Sequence, residues 1–368
     1  MSKGHDFRLI DSGVRDGRMQ IAYDAALTQL HGEGKTPNTI RFMRFPPTVL
    51  IGRHQVLANE VHVARCLAEG VGLVRRVSGG GAIYLDEGQV GWELVFHRAI
   101  WPGRTLADHA KAICDAVAKG LSSRFNIDAR FRLRNDIEVG GRKLSGTGGF
   151  FVGDTLVYQG TVLIDMDAAR MARLLNIPAA KLERHAAEKA ETRVVTLKEL
   201  LGTTPSVDAV HGAIVSGLTG LDIEPLPGVE SDDEIRATQR FHDTEIGTDA
   251  FVYGDTALTR SRPAGGERVL TASRTCPGGT IVVYLRLEGA GASRRIREVL
   301  ISGDFFVAPP RTIYDLEAHL RGTAVVDIGR SIDGFFDGAN IGMLSLAPAD
   351  IRDTVVAAAG TQSQVTAP

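Results

Sequence analysis

The sequence predicts an α/β (α+β) fold, a mixed sheet with flanking helices, followed by a small α+β unit of different character. Three observations predict it. Short apolar strands bounded by glycine alternate with helical periods over the first 240 or so residues. Two glycine-rich turns interrupt those strands. A Pro-Leu-Pro-Gly stretch at 225–228, followed by acidic residues, reads as a linker ahead of a second set of strands and helices, with a boundary near Gly228 or near Gly247.

Taken in order, Met19 to Leu30 has the period of an amphipathic helix, and Thr48 to Gly52 (TVLIG) that of a buried strand. Glu60 to Glu69 reads as a helix capped by Gly70. Val71 to Val77 and Gly91 to His97 read as strands, which predicts a hairpin across Gly79-Gly80-Gly81. Leu106 to Arg124 has a long helical period. Asp136 to Leu144 and Thr155 to Ile164 read as strands, with a Gly140-Gly141 turn inside the first. Helices are expected at Asp167–Leu175, Val195–Leu201 and Asp232–His242. The second unit offers strands at Gly279–Leu287 and Ile296–Ser302 and a helix at Thr312–Arg321. The tail after Gly360 has the composition of a disordered segment.

Composition narrows the function. The chain has 368 residues, long enough for two cores, with 43% hydrophobic and 23% charged residues. A formal net charge of -2 gives no footing for bulk nucleic-acid or membrane-surface binding. Cys66, Cys114 and Cys276 are too scattered for a disulfide framework; the first two fall on apolar helix faces, and Cys276 sits in a turn where exposure is expected. The start, MSKGHDFRLI, is charged where a signal peptide needs an apolar run, and no apolar stretch has the length of a membrane span. A reduced, cytoplasmic setting is expected. His97, His109, His185, His242 and His319 lack metal-ligand spacing.

Two segments carry chemistry. The first is Arg75-Arg76-Val77-Ser78-Gly79-Gly80-Gly81-Ala82-Ile83-Tyr84-Leu85-Asp86. Three glycines permit positive φ and let a ligand chain or anion approach the backbone, and two arginines ahead of them can neutralise a carboxylate or phosphate. It is neither a Walker loop nor a dinucleotide fingerprint. Against this stands a flexible hairpin with incidental charges. The second runs from Arg134-Asn135-Asp136 through Gly140-Gly141-Arg142-Lys143-Leu144-Ser145-Gly146 to Gly149. It sets Lys143 on a hairpin edge, with Gly146, Gly148 and Gly149 leaving room for a ligand. A compact ammonium there can stabilise a developing oxyanion or phosphorane, and Asn135 and Asp136 offer oxygens to magnesium or a nucleotide. In isolation, Lys143 reads rather as a solvated surface lysine.

Together these segments resemble the lipoate–protein ligase A family, within the class II synthetase/biotin-ligase-like fold group. Ile51-Gly52-Arg53-His54-Gln55 resembles the family's IGRHQN stretch, and Arg75 to Asp86 its RRxSGGGAxYxD loop. Asn135-Asp136 with Gly141 to Gly146 resembles the ND…GKKxSG segment, and Gly160-Thr161-Val162-Leu163 the HHGTLL strand. Leu182 through Thr196 to Leu200 resembles the adenylate-side loop. Cys276 to Gly279 and Gly303-Asp304-Phe305-Phe306 resemble the accessory domain. The family layout implies a catalytic domain at 1–247 and an accessory domain at 248–368. Three positions depart from the pattern: Val56, Gln89, and Tyr158-Gln159 in place of His-His.

The resemblance implies a reaction in two steps. Lipoic acid is activated by ATP with Mg2+, and the acyl group passes to a lysine of a lipoyl-domain protein: a 2-oxoacid dehydrogenase lipoyl domain, a glycine-cleavage H protein or a specialised lipoate-binding protein. Lys143 is the implied catalytic residue. Arg53, His54, Arg75, Arg76, Ser78, Gly79, Gly80, Gly81, Ala82 and Tyr84 are the implied substrate contacts. Asn135, Asp136, Lys143, Ser145, Gly146, Gly160 and Thr161 are the implied nucleotide contacts, with Asp136 on the metal. The rivals are an octanoyltransferase of the same fold, whose cysteine-dependent members need a nucleophile just ahead of the lysine hairpin, a biotin ligase, whose GRGRxxR-type loop is absent, and a non-catalytic lipoyl-domain-binding protein.

Overall fold

The computed structural model describes residues 4–132, 136–176, 193–254, 258, 269–339, 341–343 and 346–360. Asn135, the stretch from Leu182 to Glu191, and the tail after Gly360 lie outside them. The chain packs as two compact units. The first holds residues 1–51, 57–77 and 82–252; the second holds 52–56, 78–81 and 253–368.

The first unit is built on a mixed sheet. Its strands are β1 (His5–Val14), β2 (Thr39–Arg44), β6 (Gln89–His97), β7 (Ala129–Arg132), β8 (Asp136–Val139), β9 (Arg142–Val152), β10 (Thr155–Leu163) and β11 (Ile223–Pro227). Their order is β11-β1-β2-β6-β10-β9-β8-β7. A second sheet has β3 (Thr48–Ile51) between β4 (Gly72–Arg75) and β5 (Ile83–Leu85).

Two layers cover the large sheet. On one face α2 (Leu106–Phe125) and α3 (Val207–Leu218) pack with Phe42, Trp92, Leu156 and Tyr158 into the main core. Apolar residues of α1 (Gly17–Gly32) join Met43, Leu50, Val74 and Leu85 in a second core. The α2–α3 crossing is a backbone contact. A Cβ on Gly120 would lie 2.0 Å from the Ala213 carbonyl oxygen, and one on Gly217 2.1 Å from that of Ala116.

Two expectations are corrected. The glycine turn does not close a hairpin: β4 and β5 flank β3, one parallel and one antiparallel, while β6 joins the large sheet between β2 and β10. Within the second unit the loop instead lies against residue 52, where a Cβ on Gly52 would sit 2.0 Å from the Gly80 carbonyl oxygen. Glycines are needed in both segments because two backbones touch. The Pro-Leu-Pro stretch is likewise no linker. It is the parallel edge strand β11, His5 pairing with Ile223 and Leu9 with Pro227; an edge has a side that needs no N–H donor, so it tolerates proline.

The second unit has an antiparallel sheet of β12 (Leu270–Cys276), β13 (Gly279–Glu288) and β14 (Arg295–Gly303), with the short pair β15 (Val307–Ala308) and β16 (Gly342–Met343). Helices α5 (Thr312–Leu320), α6 (Ile328–Phe336) and α7 (Pro348–Gly360) bury the sheet's Ile281, Val283, Leu285 and Ile301. Helix α4 (Asp232–Phe241) belongs to the first unit, with a Ser231/Glu234 capping box. Cys276 is buried, against expectation, because it pairs with Gly279 where the β12–β13 hairpin closes.

The helix crossing generates a stability prediction. Gly217→Val forces the helices apart and should destabilise the fold by about 1–3 kcal/mol in urea unfolding. Gly212→Ala on the same helix meets nothing within 4 Å and should be neutral or stabilising.

Candidate active site

Strand alternation sends neighbouring residues to opposite faces of a sheet. Pairing aligns Arg41 of β2 with Glu93 of β6, Glu93 with Gln159 of β10, and Gln159 with Gly148 of β9. These four form one row on a single face. Tyr158, one residue along, points the other way, into the α2 layer. There its hydroxyl bonds Thr147 Oγ1 at 2.7 Å and Cys114 Sγ at 3.2 Å.

The row carries a buried ionic cluster. All five N–H donors of Arg41 are used. Nε donates to Ser12 Oγ at 2.8 Å, and Nη2 to the side-chain and backbone oxygens of Gln20 at 2.6 and 3.2 Å. Nη1 donates to Asp24 Oδ1 at 2.6 Å and Glu93 Oε2 at 3.1 Å. The other carboxylate oxygens, Asp24 Oδ2 and Glu93 Oε1, accept from Gln159 Nε2 at 2.9 and 2.8 Å. Arg41, Asp24 and Glu93 are all but inaccessible to solvent. Burial pushes the Glu93 carboxyl up to about 8, and the adjacent Asp24 charge adds to it; burial raises Asp24 as well. Arg76 lies within electrostatic reach of Asp24, and burial pushes its guanidinium down to about 10.

Lys143 reaches the same face through a register slip. In the β8–β9 hairpin Ile137 pairs with Ser145 but Glu138 pairs with Lys143, so Leu144 is an extra residue. Without that bulge Lys143 would share the face of Ser145, which with Ile137 belongs to the main-core side. With it, Lys143 joins Gly146 and Asp136. Its Nζ lies 2.7 Å from Asp136 Oδ1, and a Cβ on Gly146 would fall 2.7 Å from Lys143 Cε and Nζ. Gly146 is therefore the groove in which the lysine chain lies. The Lys143 carbonyl accepts from Val195 N at 2.9 Å, which ties the strand to the segment after the lysine hairpin.

Other residues expected at the site divide by role. Arg75 is buried, and its guanidinium donates to the carbonyls of Phe251 at 2.8 Å and Val252 at 3.0 Å, fastening the end of the first unit. Ser145 is buried on the core side. The Cβ positions of Gly149 and Gly160 are filled by the rings of Tyr158 and Trp92, at 2.4 Å each, so these glycines make room for aromatic packing. Thr161 lies on the row's face beside Gln159. Ala82 is half-buried and Tyr84 buried, its phenol pushed up to about 12 by burial and by Asp86. Gln89 donates to the Tyr84 carbonyl at 3.1 Å.

Arg53, His54, Ser78, Gly79, Gly80 and Gly81 fall in the second unit. The buried His54 ring stacks on Phe305 at 5.4 Å. Gly80, at φ 93°, donates its N–H to the Phe305 carbonyl at 3.2 Å, and a Cβ on Gly79 would meet that oxygen at 2.1 Å. Arg53 N–H donates to the Ser78 carbonyl at 2.9 Å, and its guanidinium lies 5.5 Å from the Tyr314 ring centre.

The sequence reasoning passed over Asp24, Arg41 and Glu93. Their signal was present: single charges inside otherwise apolar strands (TIRFM, WELVF) and an acid on the apolar side of α1. Among the described residues no group of three or more His, Cys, Asp or Glu side chains is arranged to hold a metal.

Lys143 beside Asp136 and the buried Arg41–Asp24–Glu93–Gln159 cluster thus lie on one face of the large mixed sheet. The comparisons identify the class. Residues 16–219 match the family model of the lipoyl protein ligase A/B catalytic domain, and the chain belongs to that family. It is 32% identical over 193 residues to a probable lipoate-protein ligase A of Mycoplasma genitalium, covering 52% of this chain and 56% of that one. It is 26% identical over 266 residues to an octanoyltransferase LipM of Symbiobacterium thermophilum, covering 66% and 97%. The chain thus spans about half the length of the ligase relative. Among solved structures, a bi-partite lipoate protein ligase of Thermoplasma acidophilum, described together with its E2 lipoyl domain, shares the fold. The TM-score is 0.61 at 23% identity, over 71% of this chain and all of that one.

Two predictions follow from this geometry. Arg41→Met leaves two buried carboxylates without their shared cation and should cost about 3–5 kcal/mol in denaturant unfolding at neutral pH. Glu93, raised in the folded state, contributes stability that is present below its ordinary value near 4.5 and is lost as pH rises through about 8. Glu93→Gln should therefore flatten the fall in stability across that window, measured by urea midpoints against wild type.

Proposed function

We propose that this chain is a lipoate–protein ligase. It activates lipoate with ATP to lipoyl-AMP, releases pyrophosphate, and passes the acyl group to a lysine of a lipoyl-domain protein. The observation that carries this reading is the Lys143 ammonium, aimed onto the Arg41–Glu93–Gln159 face by the Leu144 bulge and kept there by Asp136 and Gly146. A compact positive charge suits both steps, because each develops negative charge at the acyl carbonyl or α-phosphate oxygens. Arg76 meets the carboxylate end of the acyl substrate. Asp136, with Asn135 proposed beside it from the motif alone, would hold a magnesium ion, which would offset the charge of the nucleotide phosphates. Neither step requires a protein nucleophile.

The cysteines favour the ligase over the octanoyltransferase. All three are buried, and burial raises each thiol above its ordinary value, Cys114 to about 11. Cys114 bonds Thr147 and Tyr158 on the face opposite Lys143. A thiolate nucleophile needs the opposite conditions, an electropositive and accessible setting.

We further propose that residues 1–247 carry catalysis and 248–368 form an accessory domain. The carbonyls bound by Arg75 move the useful truncation point to after Val252.

Lipoate, ATP and magnesium should release pyrophosphate without an acceptor, and a lipoyl domain should then become lipoylated. Acceptor labelling from octanoyl-acyl carrier protein in the absence of ATP would favour the transferase. Lys143→Ala should fold normally by circular dichroism and lose roughly 10²–10³ in rate in single-turnover adenylation and in transfer from synthetic lipoyl-adenylate. Lys143→Arg should rescue little, since a planar guanidinium does not fit the compact position. Gly146→Ala should mimic the loss, because its methyl occupies the lysine's groove.

A further inference from the structure

The Leu144 bulge decides which face Lys143 occupies, and it lies where β9 parts from β10. The pairing of those two strands ends at Thr147 and Gly160, while β10 goes on along β6 to Leu163 and Gln89. From Gly146 to Arg142, β9 keeps β8 on one side and leaves β10 on the other. Register is weakly specified in a glycine-rich strand, and a slip that removed the bulge would turn Lys143 to the core side. Leu144, buried in the main core, favours the bulged register through its own side chain.

The chain at 194–199 enters between the parting strands. Val194 bridges Lys143 in parallel, and Val195 N–H donates to the Lys143 carbonyl at 2.9 Å. Lys198 N–H donates to the Ile164 carbonyl at 2.9 Å, just past the end of β10. One short segment thus joins both strands where they separate. Val195 and Leu197 are fully buried in the main core and anchor it there. The short helix Leu197–Leu201 starts from a Thr196 cap, and its Lys198 pairs with Asp165 at 2.8 Å. From that helix Glu199 accepts from Arg142 Nη1.

Arg142 and Lys143 are successive residues of one strand, so they point to opposite faces. With the bulge in place Arg142 turns to the core side, where the Glu199 helix packs, and Lys143 turns to Asp136 and the Gly146 groove. Without the bulge the two would exchange faces. Arg142 would leave Glu199, and Lys143 would leave Asp136.

We infer that Glu199 is a positioning residue. Through Arg142, and together with the Val195–Lys143 link, it holds the hairpin in the register that presents Lys143 to the substrate. This rests on the ligase reading, in which Lys143 is the catalytic residue. Glu199 acts only through Lys143 in this scheme. The side chains of the pair are partly exposed, so solvent screens it and its effect is modest.

The test is single-turnover adenylation by the full chain with lipoate, ATP and magnesium, followed as pyrophosphate release. Glu199→Gln and Arg142→Gln should each lower the maximal rate by about two- to fivefold, with the half-saturating substrate concentrations unchanged. Glu199→Arg and Arg142→Glu set like charges together and should lose more, and the double reversal should recover most of that loss. In a Lys143→Ala background Glu199→Gln should have no further effect, because the residue it positions is gone. A merely structural role would lower the rate in both backgrounds alike. Circular dichroism checks the fold of each variant, and the Arg142→Gln arm carries the test if Glu199→Gln does not fold. Three results overturn the inference and leave the ligase reading standing: wild-type rates in both glutamine variants, a loss that persists in the Lys143→Ala background, or a raised ATP requirement at unchanged maximal rate. A wild-type chain that releases no pyrophosphate with lipoate overturns the ligase reading and this inference with it.

Discussion

Two carboxylates buried against one guanidinium constrain the first unit more than any apolar contact does. An unpaired buried charge costs several kcal/mol, so Arg41, Asp24, Glu93 and Gln159 have to be delivered together. That delivery needs α1 at a fixed depth over the sheet and β2, β6 and β10 in one register. A one-residue slip of β10 would exchange Gln159 for Tyr158 and put a phenol among the acids. Apolar packing tolerates small shifts by repacking; this cluster does not. It therefore acts as a register key for the middle of the sheet, at the place where the site is built.

The two faces of the sheet meet this demand differently. On the α2 side, large rings fill the space, and glycines at 149 and 160 exist because Tyr158 and Trp92 lie over them. On the other side the strand positions opposite those rings stay small or polar: Gly148, Gly146 and Thr161. The glycine-rich GTGG run thus has two unrelated causes in alternating residues. One set admits aromatic rings to the core, and the other leaves the Lys143 chain room to cross.

That division explains what the sequence could disclose. The α/β class, the second unit and the two glycine-rich segments were legible, because hydrophobic period and glycine content are local signals. The hairpin around Lys143 was legible, but the direction of its side chain was not. Leu144 reads as an ordinary strand residue, and only the pairing of Glu138 with Lys143 exposes the bulge. The glycine loop was legible as a place of close approach, but the neighbour expected there was a ligand. Gly52 and the Phe305 carbonyl supply that close neighbour within the second unit. The replacement of His-His by Tyr158-Gln159 was visible as a departure. Its meaning required knowing that the two side chains face opposite layers. Asp24, Arg41 and Glu93 were missed because their partners lie on separate elements up to 135 residues apart, and a charge in a strand looks like a solvated position until its pairing is known.

The resting electrostatics of the site follow from these pairings. Lys143 is paired with Asp136, and Arg76 lies within electrostatic reach of Asp24. Lys143 and Arg76 each have an acid of the protein nearby. Under the proposed reading, an anionic substrate competes with those internal acids. That competition weakens binding, but it also fixes the cations in place before the substrate arrives. Fixed charges need no reorganisation as the reaction proceeds, which is the condition under which they stabilise a transition state most. Unpaired cations would bind anions more tightly and less selectively, and at the depth of Arg76 they would carry the desolvation cost in the empty protein.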